Sequence, residues 1–151
     1  MITKTSWKEK LEKPQEIKIV DTPESMKKFG SGKMLIATPK IVDNFIKKIP
    51  KGQLMTIGEI RKSLATEFNA DLTCPLTTGI FLRISAEAAE EDRASGKRNI
   101  TPYWRVVRDN GCLIDKFPGG QQHHAELLEK EGFKTLTKGK NIYVLSEKFD
   151  S

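Results

Sequence analysis

Few side chains in this sequence are equipped for covalent chemistry. Cys74 and Cys112 are the only thiols, and a thiol becomes a nucleophile or a metal ligand only as the thiolate. The nearest titrating neighbours of Cys112 are Asp109 and Asp115; their negative charge raises a thiol pKa, so an inert thiol is expected there. Cys74 directly precedes Pro75, where a helix is expected to start and its dipole would favour the thiolate. It is the better nucleophile of the two, though a weak one. The pair has neither the number nor the CxxC spacing of a disulfide or zinc framework, which fits a reducing, cytoplasmic setting. His123 and His124 invite a metal reading, but successive positions on a helix diverge by about 100° and rarely share one ion. Neither a metal nor a cofactor is expected.

A second set of side chains suits phosphates and base edges. Thr77, Thr78 and Arg83 fall on one expected helix, Arg61 and Lys62 on the helix before it, and Lys97 and Arg98 in a basic loop, ASGKRNIT, at 94–101. Hydroxyls and cations of this kind contact the backbone and the groove edges of nucleic acids. Each also has an ordinary structural use: threonines near a helix start act as caps, and cations make a solvated face.

The elements that must carry these residues are legible from local signals. Thr38 is an N-cap with Pro39 at the first helical position, followed by the apolar stripe Ile41, Val42, Phe45, Ile46 and Ile49; Pro50 and Gly52 end it. Thr56 and Glu59 form a capping box for a second helix whose buried face is Ile60, Leu64 and Phe68. After a polar turn at 69–73, a third helix over 75–92 lines Leu76, Ile80, Ile84 and Ala88 along one side. Its acidic end, 87–92, opposes the dipole and is expected to fray or to pair with Arg93. Tyr103 to Arg108 alternates as a strand, Asp109-Asn110-Gly111 signals a hairpin turn, and Cys112 to Ile114 is the returning strand. A helix over 121–131 ends at Gly132, and a last hairpin turns at Lys138-Gly139-Lys140. Two helices joined by a short turn and followed by a hairpin outline a winged helix-turn-helix, which presents its second helix to a groove. The fold class expected is mostly α with small β.

Length and charge bound the function. At 151 residues the chain suits one domain with a real core. Residues 1–37 read as a basic N-terminal extension with scattered apolar anchors and a flexible joint at Gly30-Ser31-Gly32, and 38–151 as the domain proper. No apolar run approaches a membrane span, so no membrane partner is expected. The formal net charge is +6, and residues 1–52 hold all of it, with 12 Lys+Arg against 6 Asp+Glu. A basic arm beside a neutral domain suits loose attraction to phosphate backbones; lysines that merely keep a protein soluble would look the same.

The order of motifs from Ile49 to Phe133 resembles the C-terminal domain of the alkylguanine-DNA alkyltransferases and of the non-enzymatic alkyltransferase-like proteins. Ile49-Pro50-Lys51-Gly52 resembles the segment before their first helix-turn-helix helix, and TIGEIRKSLA at 56–65 resembles that helix. Pro102-Tyr103-Trp104-Arg105-Val106-Val107 is similar to their signature Pro-Cys-His-Arg-Val, and Asp109 to Gly120 to the loop that follows. Leu127 to Gly132 (LLEKEG) resembles their last helix end. The resemblance implies a winged-helix DNA-binding domain without the chemistry. Tyr103 stands at the position of the acceptor cysteine and Trp104 at that of the activating histidine; only Glu131 remains of the enzymes' relay. A phenol with an ordinary pKa near 10 cannot replace a thiolate without a base.

The resemblance also implies that base flipping is impaired. The tyrosine and arginine used by the alkyltransferase-like proteins fall on Ile57 and Gly79, and Arg83, one turn along, is a possible substitute. Tyr103, Trp104, Arg105, Phe117 and Glu131 are the residues expected around the former pocket. Tyr103 either faces a base there or fills the cavity, and packing is the better reading of Trp104. The expectation is therefore a cytoplasmic, monomeric, non-enzymatic protein that binds double-stranded DNA. A protein-interaction module on the same fold, and a residual alkyltransferase using another cysteine, are the alternatives.

Overall fold

The computed structural model describes residues 6–149. In chain order it has helix α1 (Trp7–Glu12), strand β1 (Lys18–Asp21), a 3-10 turn (Glu24–Phe29), β2 (Lys33–Ile36), α2 (Pro39–Lys47), β3 (Met55–Thr56) and α3 (Ile57–Glu67). There follow β4 (Leu72–Thr73), α4 (Pro75–Ala94), a 3-10 turn (Tyr103–Arg105), β5 (Val106–Val107), α5 (Gly120–Lys130), β6 (Lys134–Lys138) and β7 (Asn141–Leu145). The architecture is helical with three small sheets, ordered β1-β2-β4, β3-β5 and β6-β7. None of the described helices is long and apolar enough to cross a membrane.

The helix starts follow from their caps. Thr38 Oγ1 accepts the Ile41 N–H at 3.2 Å. Thr56 Oγ1 accepts the Glu59 N–H at 3.1 Å while Glu59 returns a carboxylate oxygen to the Thr56 N–H at 3.4 Å, so two orphan donors of α3 are satisfied reciprocally. The stripe of α2 is buried through Val42, Ile46 and Ile49, which join Ile60 and Leu64 of α3 and Leu82 and Ala86 of α4 in one core.

The stripe expected on α4 is rotated. Leu76 and Ile80 stand out in solvent, 62% and 50% exposed, and the buried face is instead Thr78, Leu82, Ser85, Ala86, Ala88 and Ala89. The cause is the packing of α4 against both α1 and α2: small residues let helix axes approach closely, and the larger apolar side chains lie beyond that contact. The acidic end does not fray. Glu91 accepts the N–H groups of Trp7 at 3.1 Å and Lys8 at 2.8 Å, capping α1, and Arg93 pairs with Glu90 at 2.9 Å.

Residues 6–37 of the stretch read as a leader are built into the packing; its first five residues lie outside the described residues. Leu11, Met34 and Leu35 are buried, and β2 pairs antiparallel with β1 and parallel with β4, with Met34 opposite Leu72 and Leu35 opposite Thr73. The Gly30–Gly32 joint is a fixed turn. Gly32 has φ +98°, and a Cβ there would lie 2.2 Å from Asp71 Oδ2, the oxygen that accepts the Lys33 N–H at 2.7 Å.

Two strand expectations are also corrected. Tyr103–Arg105 forms a 3-10 turn, and only Val106–Val107 continues as strand, parallel to β3. Cys112 to Ile114 does not return as a hairpin; Cys112 forms a single bridge to Tyr143. The last hairpin does form, with Leu136 opposite Tyr143. Sequence alternation could not reveal the 3-10 turn because what holds it is a set of distant polar partners.

Candidate functional site around Tyr103, Glu131 and the start of α4

Tyr103 has no accessible surface. Its ring meets Trp104 at 5.4 Å and Phe117 at 5.1 Å, both edge-to-face, and its hydroxyl donates to Glu90 Oε2 on α4 at 2.5 Å. Of the two readings open for Tyr103, the burial favours the packed one: with no exposed face, the ring offers nothing for a base to stack on. Burial, reinforced by the Glu90 hydrogen bond, pushes the phenol pKa well up, so the hydroxyl stays protonated at neutral pH. Burial also raises the Glu90 carboxyl, but hydrogen bonds from Tyr103 and His123 outweigh it and leave the group below its usual value.

Trp104 is held by a second carboxylate. Its Nε1–H donates to Glu131 Oε2 at 2.5 Å, and Arg105 meets the same oxygen at 2.9 Å. Arg105 also donates to the Ile49 carbonyl at 2.7 Å, and Glu131 accepts the Gly52 N–H at 3.1 Å. Burial works against the charged carboxylate, yet the Trp104, Gly52 and Arg105 donors keep the Glu131 pKa below its ordinary value. Glu131 therefore ties the Ile49–Gly52 segment to the Tyr103–Arg105 turn. In this structure it is a structural anchor.

His124 is buried without exposure. Its Nδ1 accepts the Ile114 N–H at 3.2 Å, which places the proton on Nε2, 2.9 Å from the Trp104 carbonyl. The neighbouring His123 points to Glu90 at 3.2 Å instead. Desolvation pushes the His124 pKa down to about 4, against about 6.5 in an unfolded chain. Between those values the unfolded state binds the extra proton, so stability falls as pH drops from about 6.5 towards 4, by up to about 3 kcal/mol. Urea unfolding at pH 7 and pH 4.5 is expected to show this loss in the wild type. A smaller loss is expected in His124→Gln, which keeps a donor and an acceptor but does not titrate; equal losses in the two proteins would exclude His124 as the cause.

The thiols are enclosed. Cys74, 3% exposed, lies with Met34 and Leu72, its Sγ 4.0 Å from the Met26 sulfur. Cys112 is 6% exposed and accepts a contact from Gln121 Nε2 at 3.7 Å. Both thiols are thus held within the packing.

The expected nucleic-acid contacts divide. Thr78 is withdrawn: it is buried, and its hydroxyl donates to the Cys74 carbonyl at 2.7 Å. Thr77 is half-buried and shares that carbonyl at 3.5 Å. Arg83 is exposed but rests over the Trp7 ring at 5.3 Å. Arg61 anchors α3 to β4 by donating to the Thr73 carbonyl at 3.2 Å, with its guanidinium 5.7 Å from the Phe29 ring. Lys62 and Arg98 are exposed, and Lys97 pairs with Asp92 at 3.5 Å. The structure thus gathers Arg61 and Lys62 beside the start of α4 and leaves Lys97 and Arg98 beyond its far end. Sequence reading missed Glu90, the partner of Tyr103, which no local signal marks. It also missed the exposure of Leu76 and Ile80, which periodicity disguised.

The fold formed by these elements is that of the alkyltransferase-like proteins. The solved structures it resembles are S. pombe Atl1 in complex with damaged DNA containing O6-carboxymethylguanine, at TM-score 0.50 and 19% identity over 72% of this chain and 87% of the other, and S. pombe ATL in complex with DNA, at TM-score 0.49, 19% identity and the same coverage. At that identity the likeness is one of fold. No protein-family model matches the sequence, and no curated protein matches it.

Proposed function

We propose that the protein is a non-catalytic, cytoplasmic, monomeric DNA-binding protein of the alkyltransferase-like kind, linked by that kinship to the handling of damaged DNA. The observation that carries this reading is the state of Tyr103. By sequence resemblance it occupies the place of the acceptor cysteine, and it is sealed from solvent and committed to Glu90. A buried phenol with a raised pKa cannot accept an alkyl group. DNA binding draws its support from the fold and from the uncovered start of α4, where Gly79 and Ile80 are exposed and the cations of α3 lie alongside.

Fluorescence anisotropy with a labelled duplex tests the reading. Binding is expected at low salt and should weaken steeply as salt rises, because phosphate contacts release counterions. Absence of binding at low salt would rule the reading out. Intact mass after incubation with alkylguanine DNA should be unchanged; one added alkyl group would instead make the protein an enzyme using Cys74 or Cys112.

A second reading, a protein-interaction module, is favoured by one observation. Phe29, Leu76 and Ile80 are 46%, 62% and 50% exposed, and Phe29 and Leu76 border a common groove. Exposed apolar clusters of this kind mark interaction surfaces. A pull-down that returns one defined partner, is lost in Leu76→Ser/Ile80→Ser, and carries no nucleic acid would favour it over DNA.

A further inference from the structure

The start of α4 is one end of a longer track. Arg61 lies between two grooves, one along α3 with Lys62 and Thr73, the other between α3 and the turn holding Arg108 and Asn110. Asn110 in turn borders a groove on the outer face of the β6–β7 hairpin, beside Leu136, Lys138 and Tyr143. At the opposite end Phe29, against which Arg61 rests, borders the groove at Leu76. The surface is therefore continuous from α4 across α3 to the hairpin.

Its charges are unequal in availability. Of the carboxylates along it, Asp115 pairs with Arg108 at 3.0 Å and Glu59 with Lys148 at 2.7 Å; Asp71 and Asp109 accept only the backbone N–H groups of Lys33 at 2.7 Å and Gly58 at 2.8 Å and keep their charge, as does the exposed Glu147 that follows Ser146. The hairpin carries Lys134, Lys138 and Lys140, all exposed, and no acidic residue occurs from 134 to 146. Lys138 and Lys140 flank Gly139 at its tip, next to Asn141, whose Oδ1 accepts from Gln121 Nε2 of α5 at 3.2 Å.

We infer that the β6–β7 hairpin is a second DNA contact: a duplex seated on the start of α4 continues across α3, and its phosphate backbone is held at the far end by Lys138 and Lys140. Separate cations spaced along a surface suit a continuous polyanion, whose charges recur along the whole track. The inference rests on the proposed duplex binding, and it assigns a role to a hairpin that the resemblance, which ends at Phe133, does not cover.

The test compares the salt dependence of duplex binding in three proteins. For each phosphate contact removed, the slope of log affinity against log salt should fall by about 0.9. Lys138→Gln/Lys140→Gln is expected to make the slope shallower by about 2. Lys48→Gln/Lys130→Gln, which removes the same net charge away from the track, is expected to leave it unchanged. If the wild type binds and the hairpin variant keeps the full slope, the hairpin inference is wrong while DNA binding stands. If both variants shift alike, net charge and not a contact is responsible, and the inference is again wrong. If the wild type binds no duplex, both it and the proposed function fall together.

Discussion

Tyr103→Ala is expected to cost about 4 kcal/mol of stability, the larger of the two main mutational effects. Truncating a large buried aromatic side chain loses its transfer energy and leaves a cavity that the surroundings only partly fill. The two aromatic contacts to Trp104 and Phe117 go with it. For a domain of this size the melting temperature should fall by roughly 8–16 °C. Tyr103→Phe separates the ring from its hydroxyl. It removes only the hydrogen bond to Glu90, which retains His123 and Arg93, so about 2 kcal/mol is expected. A Phe variant as damaged as the Ala variant would mean that the hydroxyl, and not the packed ring, secures the site.

Glu131→Ala is expected to cost about 3 kcal/mol or more. The side chains of Arg105 and Glu131 are 14% and 7% exposed, and breaking a buried pair leaves an uncompensated charge, whereas the intact pair contributes far less in net terms. The deletion also strips the Trp104 Nε1–H and the Gly52 N–H of their acceptor. Glu131→Gln keeps an acceptor oxygen for these donors and should recover part of the loss in denaturant melts. If Glu131→Ala melts like the wild type, the carboxylate is not the anchor that the geometry indicates.

These two residues show how far the sequence could be read. The caps at Thr38 and Thr56 fixed two helix starts because capping is local, and the Lys138-Gly139-Lys140 turn located a hairpin for the same reason. The ordered motifs around Pro102–Val107 pointed to a replaced acceptor. They could not say what the replacement does, because Tyr103 is decided by Glu90, on another helix and reached only through the tertiary fold. The phase of α4 failed on a different ground. Leu76, Ile80 and Ile84 recur at helical spacing, but the buried face is built from Ser85, Ala86 and Ala89, whose smallness admits α1 and α2 and leaves little hydrophobic signal. The first 37 residues have few apolar positions, and their parallel pairing to β4 is a long-range contact that no short window detects.

On the proposed reading, in which Tyr103 stands where the acceptor cysteine would, the expected consequence is loss of lesion discrimination. The decisive measurement is the ratio of affinities for two matched duplexes, one carrying a single O6-alkylated guanine and one unmodified, titrated at the same low salt. If the buried Tyr103 ring fills the space that an alkyl group would need, as proposed, the ratio lies within about twofold of one, a difference of under about 0.5 kcal/mol. A preference of tenfold or more for the alkylated duplex would show that a lesion pocket opens on binding, and that Tyr103 does not close it.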